Sequence, residues 1–224
     1  MFTCQYCGKE FRREKTLTVH MCEPKRRHMV QNDRHVRLAY RAYQRFYEKS
    51  MNAKRAKTYA EFAKSNYYTA FVRFGKHMID LNAIDPERFI DFVLQMGVRL
   101  DDWCKDSVYE EYVRDLTRKE TVDRAVERNV LLMQQWGMET GQQWHKFFDK
   151  VNTQRAVQLI KTGRISPWII YGCDGAQTLL DRMNDEQIKM VAEYIDPTYW
   201  RKRLIKQPED AQWIQSVFDS AGVQ

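Results

Sequence analysis

The chain has 224 residues and a formal net charge of +7, with 43% hydrophobic, 30% charged and 13% aromatic residues. That is enough apolar matter for one ordinary core plus a small module, and it excludes a disordered or collagen-like chain. The scarcity of Gly (9) and Pro (5) argues against a many-stranded β fold with tight turns. No stretch approaches the roughly 18 consecutive apolar residues of a membrane span, so no membrane partner is expected.

The charge is unevenly spread. Residues 1–57 hold 15 Lys/Arg against 5 Asp/Glu, a balance of +10, while residues 58–224 hold 22 against 25, a balance of −3. A basic arm on a near-neutral body is the electrostatic footprint of a polyanion partner; the bland alternative is a solvated basic helix that binds nothing. The five cysteines are an odd number and three cluster at metal spacing, which points to a reducing, cytoplasmic compartment rather than a disulfide scaffold. The metal pattern begins at residue 2, so no cleaved leader is expected.

In chain order, the first element is Phe2-x-Cys4-x-x-Cys7, followed by Phe11, Leu17 and His20. Cys4 and Cys7 have the knuckle spacing that lets two thiolates share one tetrahedral ion. Gly8 sits where the chain must reverse, and His20 returns on a helix twelve residues after the knuckle. Phe11 and Leu17 supply the small apolar core. This pattern resembles the ββα zinc-finger family with two Cys and two His ligands, which implies zinc as the cofactor. The departure is the fourth ligand: Cys22 follows His20 after one residue, His28 after seven. Positions i and i+2 of a helix face different ways, so Cys22 requires the helix to end near His20. Pro24 supports such an ending, because the residue before proline avoids helical geometry. The expected set is Cys4, Cys7, His20 and Cys22, with His28 the alternative that needs a loop to fold back. Four protein ligands leave no open position for a catalytic water. A finger this small depends on its metal, whose binding is worth about 10–16 kcal/mol in such peptides.

The family docking mode implies that Arg13, Thr16 and Val19 face a DNA groove, with Lys15 beside them. Arg13 suits a guanine edge; Thr16 and Val19 are poor readers. One finger covers about 3 base pairs, so it cannot select a site alone, and it could equally serve RNA or a protein.

Next comes Lys25-Arg26-Arg27-His28, then a pattern that predicts an amphipathic helix over 33–49. Val36, Tyr40, Tyr43 and Tyr47 share one face, read as core contact rather than base stacking. Arg34, Arg37, Arg41 and Arg45 form a second stripe, read as a phosphate-facing track that continues from Lys25, Arg26 and Arg27. Residues 1–24 are thus the finger, 25–57 a basic linker and helix, and 58–224 an all-helical domain.

The rest reads as eight to ten short helices, giving a mostly α fold behind a small ββα finger. Thr58-x-x-Glu61 is a capping box. Asp85-Pro86-Glu87 opens a helix to about residue 98. Thr117-x-x-Glu120 is read as opening another, toward Gly137 or Gly141. Thr153 begins a helix that Gly163 ends. Ser166-Pro167, Asn184 and Asp196-Pro197 open three more, and the last starts near Asp210 and closes before Gly222.

No phosphate loop, dinucleotide glycine pattern or metalloprotease His pair occurs, so neither an enzyme nor a small-molecule substrate is expected. Asp101-Asp102 and Glu110-Glu111 are the nearest thing to a nuclease metal site, but adjacent residues on a helix diverge. His77 and His145 stand alone; Cys104 and Cys173 read as buried thiols; most of the six Trp read as core, some as a protein-docking surface. Arg201-Lys202-Arg203 and Lys206 make a smaller basic cluster. The Cys22-Glu23-Pro24-Lys25-Arg26-Arg27 stretch and the Thr162-Gly163-Arg164-Ile165-Ser166-Pro167-Trp168 segment resemble small zinc-finger proteins of large tailed bacteriophages. That resemblance implies a viral accessory protein in the host cytoplasm and no catalytic residue. The expectation is a non-enzymatic nucleic-acid-binding protein, most readily DNA-binding, with a protein partner for the helical domain; the alternative is an assembly protein in which the finger is a staple.

Overall fold

The computed structural model describes residues 1–223. Among them the chain forms one two-stranded sheet and fifteen α-helices, and it divides into two compact units, Met1–Val108 and Tyr109–Gln224.

The first unit opens with β1 (Phe2–Thr3) and β2 (Glu10–Phe11), antiparallel with Phe2 opposite Phe11. Then come α1 (Glu14–Val19), α2 (Glu23–Met29), α3 (Arg34–Ser50), α4 (Tyr59–Lys64), α5 (Tyr68–Asp80) and α6 (Pro86–Gln95). The predicted 33–49 helix is α3, with Asp33 as its N-cap. Thr58 and Glu61 form the expected capping box, and Asp85 accepts from the backbone N–H of Arg88 at the start of α6.

Helices α3 and α5 approach so closely that a Cβ on Gly75 would lie 2.1 Å from the carbonyl oxygen of His35. Ala39 lines the same contact, its backbone nitrogen 3.0 Å from that Cβ, and Ala39 and Ala42 are fully buried. Around it packs an aromatic core of Tyr43, Phe62, Phe71, Phe74 and Trp103, with ring centroids about 5–6 Å apart and mostly tilted or edge-on. The α3 tyrosines therefore face core, as their spacing suggests. Trp103 resolves its polar end by donating to the Val98 carbonyl at 2.9 Å.

The unit boundary falls inside α7 (Asp106–Lys119). The second unit continues with α8 (Val122–Thr140), α9 (Phe147–Lys150), α10 (Thr153–Lys161) and α11 (Pro167–Gly172). It ends with α12 (Asp174–Asp181), α13 (Asp185–Ile195), α14 (Pro197–Lys206) and α15 (Pro208–Ser220). Helix α11 is the hub: Trp168, Ile169 and Ile170 are buried, and α8, α12, α14 and α15 pack on it. Gly172 permits the approach of α15, since a Cβ there would meet the Ile214 side chain at 2.9 Å.

Two expectations fail here. Thr117-x-x-Glu120 does not open a helix: Thr117 lies within α7, where its hydroxyl donates back to the Val113 carbonyl, and Thr121 is the N-cap of α8. Glu120 is instead drawn into the core by Arg128. The helix count is also higher than eight to ten, because several starts carry no side-chain cap. Helix α5 begins at Tyr67 without one, and α12 follows α11 directly, the two sharing Cys173. The starts at Asn152, Ser166, Asn184 and Asp196 all have their capping bonds.

Candidate metal centre and basic surface

The knuckle is a tight reversal. The Gly8 N–H donates to the Cys4 carbonyl at 2.8 Å and the Cys4 N–H to the Lys9 carbonyl at 2.9 Å. Gly8 has φ +74°, which a residue without Cβ adopts freely. Helix α1 then ends at Val19. His20 has φ −65° and ψ 123°, extended rather than helical, and Cys22 is the extended N-cap of α2. Extended backbone at 20–22 is what brings two ligands one residue apart to the same point, as the spacing required.

Donor atoms of Cys4, Cys7, His20 and Cys22 all lie within 4.8 Å of one another. Cys4 Sγ is 4.0 Å from Cys22 Sγ, and Cys7 Sγ is 3.3 Å from His20 Nε2. Two thiolates about 2.3 Å from one tetrahedral ion would be about 3.8 Å apart, so the spacing fits a metal. It does not fit a disulfide, and all five cysteines are free thiols. Three sulfurs and one imidazole nitrogen are the donors of a structural zinc site. His28 lies elsewhere, its ring 5.2 Å from Tyr6 and 5.7 Å from Tyr59.

The electrostatics want a cation. Burial opposes ionisation of Cys4, but the backbone N–H groups of Cys7 and Tyr6 outweigh it and lower the thiol below its ordinary value. At Cys7 the Lys9 N–H favours the thiolate, yet burial and the neighbouring Cys4 and Cys22 sulfurs prevail and raise it. Crowded thiolates repel one another until a metal shares their charge.

The basic residues divide into two groups. Arg13, Lys15, Thr16, Arg26, Arg34 and Arg37 are exposed. The others are engaged. Lys25 donates to the His20 carbonyl at 3.1 Å, and Arg41 pairs with Glu87 at 2.7 Å. Arg27 turns inward: its guanidinium lies 4.3 Å over the Tyr68 ring, donates to the Ala63 carbonyl at 2.9 Å and pairs with Glu23. Arg45 is shared between Glu48 and Asp91. The engaged positions have a sequence signal: Glu87 and Asp91 on α6 repeat at the same four-residue interval as Arg41 and Arg45 on α3. Reading Asp85-Pro86-Glu87 only as a helix start missed it.

In the second unit, Arg203 stacks on Trp168 and Trp200 at 4.3 and 5.0 Å, leaving Arg201, Lys202 and Lys206 exposed. The acidic pairs are dispersed. Asp102 is bonded to Lys105, which lowers its carboxyl pKa, and Glu111 to Arg114, while Glu110 lies 3.8 Å from Lys161. Cys173 is buried, whereas Cys104 is only half-buried. Trp103, Trp136, Trp168 and Trp200 are core, and Trp213 is 39% exposed. Among the described residues no helix is long and apolar enough to cross a membrane.

No protein-family model, curated protein or solved structure matches this chain.

Proposed function

We propose that this chain is a non-enzymatic zinc-finger protein that binds nucleic acid, most readily DNA, as an accessory factor of a tailed bacteriophage in the host cytoplasm. The observation that carries the reading is the four-donor cluster continuous with a run of exposed cations that the protein leaves uncompensated. Zinc at Cys4, Cys7, His20 and Cys22 would close the finger and fill all four positions, supplying structure and no catalytic water. Arg13 and Lys15 at the start of α1, Arg26 on α2, and Arg34 and Arg37 on α3 are exposed, with no carboxylate bonded to any of them among the described residues.

Five phosphate contacts by these cations give a slope of log affinity against log salt of about −4.5 on duplex DNA. The Arg34→Ala/Arg37→Ala variant should flatten it by about 1.8, and Arg13→Ala should alter sequence preference. A salt titration of both proteins tests this. Micromolar or weaker binding at low salt, unaffected by the double change, would sink it.

One observation favours a second reading, the docking module. Val19 is 74% and Met29 67% exposed, and Phe2 and Met21 are exposed as well. On that reading the finger holds a protein partner through such exposed apolar side chains, and the same titration returns weak, insensitive binding.

A further inference from the structure

Beside α3 lies a trough that the sequence pattern does not reveal. Two hollows of about 530 and 600 Å³ adjoin along the helix, with Arg41, Gln44 and Glu87 lining both. One end is lined by Arg34 and Arg37, the other by Lys54 and Arg55. The outer wall at 53–57 is fixed rather than loose. Tyr40 Oη and Gln44 Nε2 both donate to the Lys57 carbonyl, at 2.7 and 3.0 Å, and the Ala53 N–H donates to the Tyr47 carbonyl at 3.0 Å.

The charge along the trough is ordered. Arg34, Arg37 and Lys54 are exposed with no carboxylate bonded to them among the described residues, whereas Arg55 is held by Glu61 at 2.9 Å. Midway, Arg41 is held by Glu87 at 2.7 Å. Cationic ends are thus separated by an internal ion pair whose carboxylate competes for the central guanidinium. The Tyr40 ring packs on Tyr59 and Phe62, so no tyrosine face is offered to a base from the floor.

We infer that this trough holds a single nucleic-acid strand by its phosphates, with Glu87 as an internal competitor that weakens the grip; the inference rests on the nucleic-acid reading above. A duplex carries its phosphates on a broad convex cylinder, too wide to enter between residues 53–56 and Glu87 of α6. One strand is thin enough to lie between them along the α3 arginines, as in the electrostatic grooves of single-strand binders. The eleven helical steps from Arg34 to Arg45 rise about 16 Å, room for a few phosphates of an extended strand. Without a stacking platform the grip should be indifferent to base identity.

The test is fluorescence anisotropy of the zinc-loaded full chain with a labelled 12-nucleotide oligo-dT, the matching oligo-dA, and a 12-base-pair duplex. The inference expects the single strands to bind more tightly than the duplex, dT and dA alike within about threefold. With Arg41 engaged by Glu87, three cations (Arg34, Arg37 and Lys54) contribute about −2.1 to the salt slope on a single strand; E87Q frees Arg41 and steepens the slope by about 0.7. The ratio of E87Q to wild-type affinity should therefore change about fivefold over a tenfold range of salt. Lys54→Ala should flatten the slope by about 0.7. Tighter duplex binding, or slopes unmoved by both variants, overturns the trough while leaving the nucleic-acid reading intact. No binding to any of the three probes removes that reading and the trough with it.

Discussion

The buried pair Glu120–Arg128 offers the sharpest test of the second unit's core. Two parallel bonds of 2.6 and 2.8 Å join the carboxylate to the guanidinium, whose Nε also donates to the Gly163 carbonyl at 3.0 Å. Ser166 Oγ donates to the same carboxylate at 2.7 Å, and Ser166 in turn caps α11, the hub. The side chains are 1% and 13% exposed, so Glu120→Ala strands a charge almost out of water. Breaking such a pair from one side costs about 3–5 kcal/mol, and the lost serine bond adds about 1. The exposure that Arg128 retains favours the lower end. At about 2–4 °C per kcal/mol for a chain of this size, a loss of about 3–4 kcal/mol should lower the melting temperature by roughly 6–16 °C. Thermal melts followed by far-UV circular dichroism would measure it, with Glu120→Met, Arg128→Met and the double variant completing a cycle. An apolar pair of similar volume is often tolerated, so the double variant should cost less than either single change. A loss below about 1 kcal/mol in Glu120→Ala, or additive costs in the cycle, would refute the view that this pair organises α8, α11 and the 162–166 turn.

Metal analysis of purified Cys4→Ser and Cys22→Ala should show zinc lost in both and retained in His28→Ala; the opposite result for the last two would move the fourth ligand. Chelation at pH 8 should expose Cys4, Cys7 and Cys22 to alkylation while Cys173 reacts only on unfolding, since burial pushes its thiol up to about 11. The unfolded chain releases that proton near pH 9 and the folded one near 11, so this thiol's contribution to stability is full below 9 and lost as pH rises to 11; melts at pH 8 and 10.5 check the sign. Gly75→Ala places a Cβ 2.1 Å from the His35 carbonyl, so α3 and α5 must separate, and denaturant titration should register a loss of at least about 2 kcal/mol.

The four-donor cluster was legible because metal coordination would impose spacing on sequence: the knuckle, the returning His20 and the Pro24 that follows Cys22 are all local signals. Capped helix starts were legible for the same reason, since Ser166, Asn184 and Asp196 each bond to backbone two or three residues away; before the expected start at Thr153 the cap is Asn152. What the sequence hid depends on contacts distant along the chain. Thr117-x-x-Glu120 has the letters of a capping box, but Glu120 is held by Arg128 eight residues on and by Ser166 forty-six residues on. Arg27 looks like Arg26, and only the position of Tyr68 and the Ala63 carbonyl separates an inward anchor from an exposed cation. The trough needs α6 and residues 53–57 to come beside α3, and no periodicity within α3 can announce that.

These local and distant effects meet in α2. Cys22 begins it, so a metal held by the cluster would fix its first turn; five residues later Arg27 is stacked on Tyr68, and the next residue, His28, sits between Tyr6 and Tyr59. The Tyr59 hydroxyl closes the arrangement by donating to the Arg27 carbonyl at 2.6 Å. A helix of seven residues held at both ends leaves the finger little freedom to swing against α4. This matters for the proposed function, because two weak basic elements joined by a floppy tether gain only a modest effective concentration, whereas a rigid mount at a matching span gains the most. Arg27 is then worth more to binding as a bolt between finger and helix than it would be as one further phosphate contact. On that proposal, withholding it from phosphate forgoes one released counterion, while what it would secure is the register between Arg13 and Lys15 at the start of α1 and Arg34 and Arg37 on α3.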